Sequence, residues 1–368
     1  MEFGPSETQR LFDRVIRDYL GDRLPQEEVH RLAREGSGFD ETLWRGLVEL
    51  GLAGVLVPER HGGAGLGMFE AALAAEALGY FAAPVPFAGA AVMAPRALQG
   101  AGGEAAAWLA RIASGAVRIA VGFDGRAGAT GESAVERRGA RLSGRVAGVL
   151  DAGGATHTLV VLRDGALGLV AVDGPGVRAT TRPSLDRTRP LGEVELADAP
   201  AEVLPGGEAL ALALLDAGRV ALAADSLGAA QRMLDRAVAY AREREQFGRP
   251  IGTFQAVKHM CAEMATMLEP CRALVWYAAY ALDHLPDEAR LAACHAKAHL
   301  GEVGREVARL ATEVHGGMGF TDELGLHHWF KRIGASRQLL GGPERCRREA
   351  AALQGWAAPS PGRCRPAT

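Results

Sequence analysis

The 368-residue sequence predicts an α+β fold in which a strand region lies between two helical regions. Apolar residues recur at helical spacing near the N-terminus, alternate in the middle of the chain, and return to helical spacing over long C-terminal segments. We therefore expect an N-terminal helical domain, a small central β-barrel or sandwich, a C-terminal four-helix bundle and a disordered tail. Their expected bounds are residues 1–115, 116–205, 206–356 and 357–368.

Two apolar stripes predict helices in the N-terminal region. The first stripe consists of Phe12, Val15, Ile16 and Tyr19, and the second of Leu43, Leu47, Leu50 and Leu52. Asp40 precedes the second stripe and is expected to cap its helix, because an aspartate side chain accepts hydrogen bonds from free N–H groups in the first turn. A glycine-rich loop then separates this helix from an Ala- and Leu-rich helix at residues 68–81.

Short runs rich in Val, Leu and Ile fill the central region, and turns containing Gly or Asp separate them. The alternating pattern is typical of antiparallel strands. Beyond residue 207 the helical pattern is long and is interrupted at Pro250 and Gly252. Helices are expected at about 207–244, 253–285 and 287–315, with a last one starting near Pro343.

Composition narrows the class of protein. The formal net charge of −3 gives no electrostatic case for binding nucleic acid or an anionic membrane. No secretory signal or membrane-spanning run is recognisable, so a cytoplasmic protein is expected. The cysteines number five, an odd count without a CxxC pair, which favours reduced thiols. We assign no metal ligand from the sequence.

The string REREQFGRPIGTFQ at residues 242–255 is more specific than a basic helix end followed by a Gly/Pro stop. It resembles the acyl-CoA dehydrogenase family, whose form here is R-x-x-F-G-x-x-I-x-x-x-Q. The resemblance implies that Arg244 and Gln255 contact the FAD of a neighbouring subunit and that Phe247 is the matching aromatic. An arginine suits a pyrophosphate because its guanidinium offers paired donors and a fixed charge.

A second motif, His-Gly-Gly-Met-Gly-Phe at residues 315–320, follows a predicted helix. One glycine would suffice to end a helix, whereas three allow the backbone to approach a phosphate closely. The family has Q-x-x-G-G-x-G-(Y/F) here, which implies that Gly316, Gly317 and Gly319 lie at the ADP moiety of FAD. Glu313 stands in place of the family's glutamine, and its carboxylate would repel a pyrophosphate unless it turned to a hydroxyl or an arginine.

A third motif, at residues 50–67, resembles the N-terminal E-L-G-L-x-G-x-x-V-P-E-E-Y-G-G-x-G pattern of the same family. The resemblance spans nearly the whole chain and is weakest in the strand region. It implies a flavoprotein that desaturates an acyl-CoA thioester and passes electrons to an electron-transfer flavoprotein, commonly as a tetramer. A carboxylate base removes the α-proton in that reaction, and oxyanion stabilisation assists it.

Neither of the family's two positions for that base carries a carboxylate here. One falls on Gly218, directly before Arg219, and the other on Gly341. The resemblance implies that Arg219 supports the thioester region, and a structural ion pair is the alternative, because a charge in this apolar stretch requires a partner. Glu344 is a candidate substitute base, although a displaced carboxylate transfers protons poorly.

The strand region also departs from the family pattern. The family's T-E-P-x-x-G-S-D segment, which contacts the flavin ring, is replaced at residues 121–128, and its tryptophan-and-threonine segment at residues 150–155.

Three hypotheses about the function of the chain follow. The chain is the base-lacking subunit of a heteromeric dehydrogenase with a paralogous partner, as in bacterial systems for steroid side chains. Alternatively, it is a homo-oligomeric flavoenzyme with altered chemistry, using a carrier-protein thioester or acting as an oxidase. The third is a non-catalytic acyl-CoA-binding or scaffold subunit.

Overall fold

The computed structural model describes residues 4–123 and 135–356, so the predicted disordered tail lies outside the described residues. The chain begins with helices, and Asp40 caps α3 as predicted, because its side chain accepts a hydrogen bond from Leu43 N at 2.6 Å. The helices of this region are α1 (Glu7–Arg23), α2 (Gln26–Glu35), α3 (Glu41–Glu49), α4 (Met68–Tyr80), α5 (Ala94–Ala101) and α6 (Ala107–Ala113). A π-helical segment, Ala88–Met93, leads into α5.

Strands follow from Ile119 to Leu204. They are β1 (Ile119–Gly122), β2 (Glu136–Arg138), β3 (Arg141–Val149), β4 (His157–Val161), β5 (Leu167–Ala171), β6 (Val177–Arg182), β7 (Leu191–Pro200) and β8 (Glu202–Leu204). One sheet has the order β1-β4-β5-β8 and another the order β2-β3-β7-β6. The expectation of antiparallel strands is wrong for β1 and β4, which pair in parallel because the chain visits the other sheet between them.

The C-terminal region is helical again. Its elements are α7 (Gly207–Glu243), a hairpin of β9 (Glu245–Gln246) and β10 (Arg249–Pro250), α8 (Gln255–His284), α9 (Pro286–His315), α10 (His327–Gln338) and α11 (Pro343–Leu353). The observed ends of α7, α8 and α9 lie within two residues of the expected ones, because Pro and Gly mark them. The predicted fold class, helical domain, central β region and helical bundle, is confirmed.

Helix α7 is the centre of the helical core, and its residues from Leu214 to Ala230 are all buried. Small residues allow α4 to approach it closely. A Cβ built on Gly228 would lie 1.8 Å from the carbonyl oxygen of Glu76, and one on Gly79 would lie 2.0 Å from that of Asp225. The two backbones therefore touch where the helices cross, and this contact fixes the depth at which α7 lies.

Within the described ranges, no helix combines the length and the apolar character needed to cross a lipid bilayer.

Candidate functional site

The two positions of the missing base lie side by side. A Cβ on Gly218 would lie 2.6 Å from Cδ1 of Leu340 and 2.7 Å from Sδ of Met93. A Cβ on Gly341 would lie 3.2 Å from Nη2 of Arg219, and the φ of Gly341 is +99°, which disfavours any side chain. Both glycines are therefore packed against neighbours, and neither leaves space for a glutamate without rearrangement.

Arg219 is completely buried beside these glycines and has a full set of partners. Its guanidinium donates to Glu349 of α11 through Nη1 at 2.8 Å and Nη2 at 3.1 Å. Nε donates to the carbonyl oxygen of Leu340 at 2.9 Å, and Nη1 also lies 3.4 Å from Asp216 and 3.3 Å from Sγ of Cys294. The arrangement provides the structural pairing that the sequence left as one alternative for Arg219.

The surroundings of Arg219 shift the pKa values of two carboxylates, Glu349 and Asp216, in opposite directions. Burial would raise the pKa of Glu349, but the hydrogen bonds and charge of Arg219, with Arg345 and Arg290 nearby, lower it to about 2. Burial raises the pKa of Asp216 to about 6, and the charges of Arg290 and Arg219 offset only part of that effect. Glu349 is thus a counter-ion at neutral pH rather than a proton acceptor.

A buried lysine holds the loop that contains Gly341. Nζ of Lys297 donates to the carbonyl oxygens of Arg337 at 3.1 Å and of Gly341 at 3.2 Å. Sγ of Cys346 donates to the same Gly341 oxygen at 3.5 Å. Burial lowers the pKa of Lys297 to about 7. An amine and a thiol therefore bond to the backbone of Gly341, one of the two positions to which the family resemblance assigns the base.

Glu344, the candidate substitute base, lies in the first turn of α11 with a side chain that is 66% exposed. It accepts a hydrogen bond from Nη2 of Arg337 at 3.1 Å. A hydrogen bond from its own backbone N–H lowers its pKa, and the charge of Arg337 adds to that. These surroundings do not favour a role in proton abstraction.

A buried polar junction occupies the region where the family's tryptophan-and-threonine segment is replaced. Asp151 is fully enclosed and accepts a hydrogen bond from Gly89 N at 2.6 Å. Burial raises its pKa to about 6. Arg332 of α10 donates to Asp225 of α7 at 2.7 Å, and Arg189 lies 3.6 Å from the same carboxylate. Only about 10 Å³ of free volume remains among these groups, so they pack closely against one another. Residues 124–128 of the other replaced segment lie outside the described residues.

The residues expected at the ADP moiety of FAD lie on the surface. Arg244 ends α7 and Gln255 begins α8, and both are exposed. Across the described ranges, neither side chain has a hydrogen-bond or ion-pair partner. Phe247 lies in the turn between β9 and β10, is 93% exposed, and has a φ of +55°. Gly248, the other residue of this two-residue turn, has a φ of +77°, and positive φ at both positions is typical of a type I′ hairpin turn.

The glycine loop at residues 316–320 lies at the same end of the bundle. The ring of His315 stacks on Tyr240 of α7 with 4.6 Å between centroids, which places this loop near Arg244. Cβ atoms on Gly316 or Gly317 would have no neighbour within 4 Å, whereas one on Gly319 would meet the carbonyl oxygen of Thr312 at 2.6 Å. Gly316 and Gly317 thus present open backbone, and Gly319 allows the loop to pack.

Glu313 is paired with an arginine, which is one of the two arrangements that would reduce its repulsion of a pyrophosphate. Its carboxylate accepts a hydrogen bond from Nη1 of Arg309 at 2.8 Å, and both side chains are about half exposed. Glu313 is therefore not an isolated negative charge beside the glycine loop. The exposed edge formed by Arg244, Gln255 and the loop suits an anionic dinucleotide.

Sequence reasoning did not find Glu349, Lys297 or Asp225. Each lies on a helix face whose partner is distant along the chain, so no local motif marks it. A charged residue within an otherwise apolar helical stretch was the available signal, and it was used only for Arg219. Arg332 is a further cation that the sequence did not mark as buried, and it is 3% exposed and part of the junction.

Comparisons with known proteins define the class. Residues 206–353 match the family described as acyl-CoA dehydrogenase, C-terminal domain, and residues 6–116 match acyl-CoA dehydrogenase, N-terminal domain. The chain therefore belongs to the acyl-CoA dehydrogenase family and is an oxidoreductase of that type. Members of this family bind FAD.

Particular relatives cover most of the chain. Acyl-CoA dehydrogenase IpdE2 of Mycolicibacterium smegmatis is 30% identical over 348 residues, which make up 92% of this chain and 96% of that protein. The steroid ACAD Tcur3481-Tcur3483 contains a chain 32% identical, with a TM-score of 0.85 and coverage of 95% and 98%. The ChsE4-ChsE5 complex of Mycobacterium tuberculosis contains a chain 27% identical, with a TM-score of 0.88 and coverage of 98% and 100%.

Proposed function

We propose that this chain is the base-lacking subunit of a heteromeric, FAD-dependent acyl-CoA dehydrogenase that desaturates an acyl-CoA thioester between Cα and Cβ. The main support for this proposal is that glycine occupies both positions of the base, Gly218 and Gly341. Gly218 packs against Met93 and Leu340, and Gly341 packs against Arg219. A chain with this interior cannot abstract the α-proton itself, since proton transfer requires a base within hydrogen-bond reach.

The exposed edge gives this chain a role in the complex. Among the residues that the structure describes, the side chains of Arg244 and Gln255 have no hydrogen-bond or ion-pair partner, and the backbone of Gly316 and Gly317 is open next to them. We assign this edge to the pyrophosphate and adenosine of an FAD whose ring lies in a paralogous partner chain. A bound FAD would supply the hydride acceptor for the β-hydrogen, with an electron-transfer flavoprotein as the expected acceptor of the electrons. The partner supplies the base.

Known assemblies support this proposal. The names Tcur3481-Tcur3483 and ChsE4-ChsE5 each describe an assembly of paired proteins, and one of these is a steroid ACAD. An acyl group attached to a steroid is accordingly the first substrate to test. Glu344 does not replace the missing base, because its side chain is exposed and paired with Arg337.

The test is co-expression with a paralogous chain that carries the base, followed by measurement of flavin content and desaturation. We expect the complex to be active, and the isolated chain to be inactive with little flavin. Arg244→Ala should lower the flavin content of the complex several-fold, because an arginine bound to a phosphate contributes a charge-assisted hydrogen bond. Arg305→Ala is the matched control, since Arg305 is an exposed arginine on α9 paired with Glu302. A flavin-saturated, active homo-oligomer would contradict the proposal.

A flavin-free scaffold subunit is the second candidate, and the filled junction around Asp151 favours it. In that case Arg244→Ala would leave the flavin content of the complex unchanged, and the complex would contain only the flavin that the partner binds alone. If the complex contains more flavin than the isolated partner, the FAD site is shared between the two chains and the scaffold hypothesis is wrong.

A further inference from the structure

A cluster of histidines joins α2 to the start of α10, outside the site described above. Nδ1 of His30 lies 3.1 Å from Nε2 of His328. One ring nitrogen from each of His30, His327 and His328 lies within 4.8 Å of the other two. His328 is buried, and the other two residues are partly buried. Residues 297 positions apart in the chain therefore bring three imidazoles to one point.

Asp322 orients two of these rings. Its Oδ2 accepts a hydrogen bond from Nε2 of His30 at 3.0 Å, and its Oδ1 accepts one from Nε2 of His327 at 2.9 Å. An ionised carboxylate only accepts, so each Nε2 carries the proton and each Nδ1 keeps its lone pair. A carboxylate bonded to the far nitrogen of a histidine is the arrangement that surrounds protein-bound transition metals.

Nδ1 of His30 accepts a hydrogen bond from Nε2 of His328 at 3.1 Å, and a metal ion would replace that hydrogen bond once the proton of His328 moved to its Nδ1. Nδ1 of His327 is buried and has no hydrogen-bond partner among residues 4–123 and 135–356. A buried imidazole nitrogen without a partner is costly unless something binds it. Neighbouring nitrogens in a tetrahedral zinc site are roughly 3.3 Å apart, as Zn–N bonds of about 2.0–2.1 Å require. The His30–His328 separation is close to that value.

We propose that His30, His327 and His328 bind one divalent transition-metal ion, with Zn²⁺ favoured, and that Asp322 orients two of the imidazoles. Imidazole donors suit zinc, copper and nickel better than calcium or magnesium. Three protein ligands leave a fourth position for water. A cleft of ≈ 620 Å³ lined by His30, Asp322 and Gln26 supplies access.

The ion would connect the first and last thirds of the chain. Nε2 of Gln26 already donates to the carbonyl oxygen of Leu324 at 2.8 Å, and Arg34 donates to Asp322 at 3.0 Å. Arg34 offsets the charge of Asp322, so the binding energy comes from the imidazole nitrogens. Binding to the folded state alone raises the unfolding temperature as the ion concentration rises.

The test uses the full-length chain after treatment with a chelator. Titration with Co²⁺ should give the visible absorption of a tetrahedral site at one ion per chain, and Zn²⁺ should displace it. Sulfur-to-cobalt charge-transfer absorption should be absent, which separates this site from binding by any of the five cysteines of the chain.

Single-residue variants test which side chains bind or orient the ion. Asp322→Asn should weaken Zn²⁺ binding by about 10–100-fold, as loss of such an outer carboxylate does. His30→Ala and His327→Ala should weaken it further and abolish the rise in unfolding temperature. His295→Ala, an exposed histidine on α9, is the matched control and should bind Zn²⁺ normally. Asp322→Asn remains informative if a histidine variant does not fold, because Asp322 is 62% exposed.

The proposal is overturned if the chain binds no Co²⁺ or Zn²⁺. It is also overturned if binding persists unchanged in Asp322→Asn and His30→Ala, or if the cobalt spectrum shows thiolate ligands. Any of these results would leave the cluster as a hydrogen-bonded link between α2 and α10.

Discussion

Lys297 shows how much a single residue can depend on its surroundings. It is 2% exposed, and its Nζ bonds to two carbonyl oxygens near the base position. Burial lowers its pKa from 10.5 to about 7, and the charges of Arg219 and Arg337 act in the same direction, while the Cys346 thiol opposes them. The neutral amine is therefore the form that the folded chain favours above neutral pH.

This lowered pKa predicts a pH-dependent stability. Between pH 7 and 10.5 the unfolded chain retains a proton that the folded chain has released, so the free energy of unfolding rises with pH. The contribution has a slope of up to roughly 1.4 kcal/mol per pH unit. Lys297→Met should remove it, and denaturant unfolding at several pH values would measure the difference.

Lys258→Met is the control for this prediction, because Lys258 is exposed on α8. Its stability should follow that of the unmodified chain at each pH. An identical pH dependence in Lys297→Met and the unmodified chain would show that Lys297 keeps its ordinary pKa in the folded state.

At the scale of elements, the crossing of α4 and α7 depends on two glycines. Gly228→Ala would bring a methyl group against the backbone of α4, where the nearest atom is 1.8 Å away. Helical backbones cannot yield as a side chain does, so we expect a loss of about 3 kcal/mol in the free energy of unfolding, at the upper end of the usual cost of overpacking. Urea denaturation would measure it.

Gly334→Ala in α10 is the matched control, since a Cβ there meets nothing within 4 Å. It should be neutral or stabilise by up to roughly 1 kcal/mol, because alanine favours helix. Equal stability of the two variants would mean that the helices separate readily at Gly228.

The elements themselves were largely predictable from local signals. Proline and glycine marked the ends of α7, α8 and α9, and apolar spacing marked their interiors. Helix α10 was not predicted, because its sequence HHWFKR mixes large aromatic and charged residues without a clear stripe. The parallel pairing of β1 with β4 was missed because it depends on the path of the chain through the other sheet.

The parts of the candidate site that consist of one short sequence segment were open to prediction. The exposed edge at residues 244–255 and 316–320 follows from motifs whose residues are near each other in sequence. The ion pair of Arg219 with Glu349 was not predictable, because it joins helices 130 residues apart. The histidine cluster was missed for the same reason, although the adjacent pair His327 and His328 was visible.

At the scale of the molecule, the buried junction ties the helical and strand regions together. Arg332 bonds to Asp225 on α7, to Thr188 in the β6–β7 connection at 2.9 Å, and to the carbonyl oxygen of Ala83 at 3.2 Å. Burial would raise the pKa of Asp225, but the charges of Arg332 and Arg189 lower it. The carboxylate is thus ionised and is shared by two arginines.

Asp225→Ala should therefore destabilise the whole chain. It leaves Arg332 buried without the carboxylate that it bonds to, while Arg189 keeps Asp186 at 3.9 Å. Removing one member of a buried ion pair costs about 3–5 kcal/mol. Chemical denaturation followed separately by far-UV and near-UV signals should show one common transition at lower denaturant. Glu35→Ala, which removes a half-exposed partner of Arg31, should change little.

Separate transitions for helical and aromatic signals in Asp225→Ala would show that the regions fold independently of the junction. A shift no larger than that of Glu35→Ala would show that water replaces the missing carboxylate.

The packing around Gly218 bears on any attempt to place a carboxylate there. In Gly218→Glu the new side chain would meet the terminal atoms of Met93 and Leu340, so both of those side chains would have to shift to admit it. At Gly341, the positive φ is a further obstacle to any side chain. Installing a base in this chain therefore calls for repacking around the new residue as well as for the substitution itself.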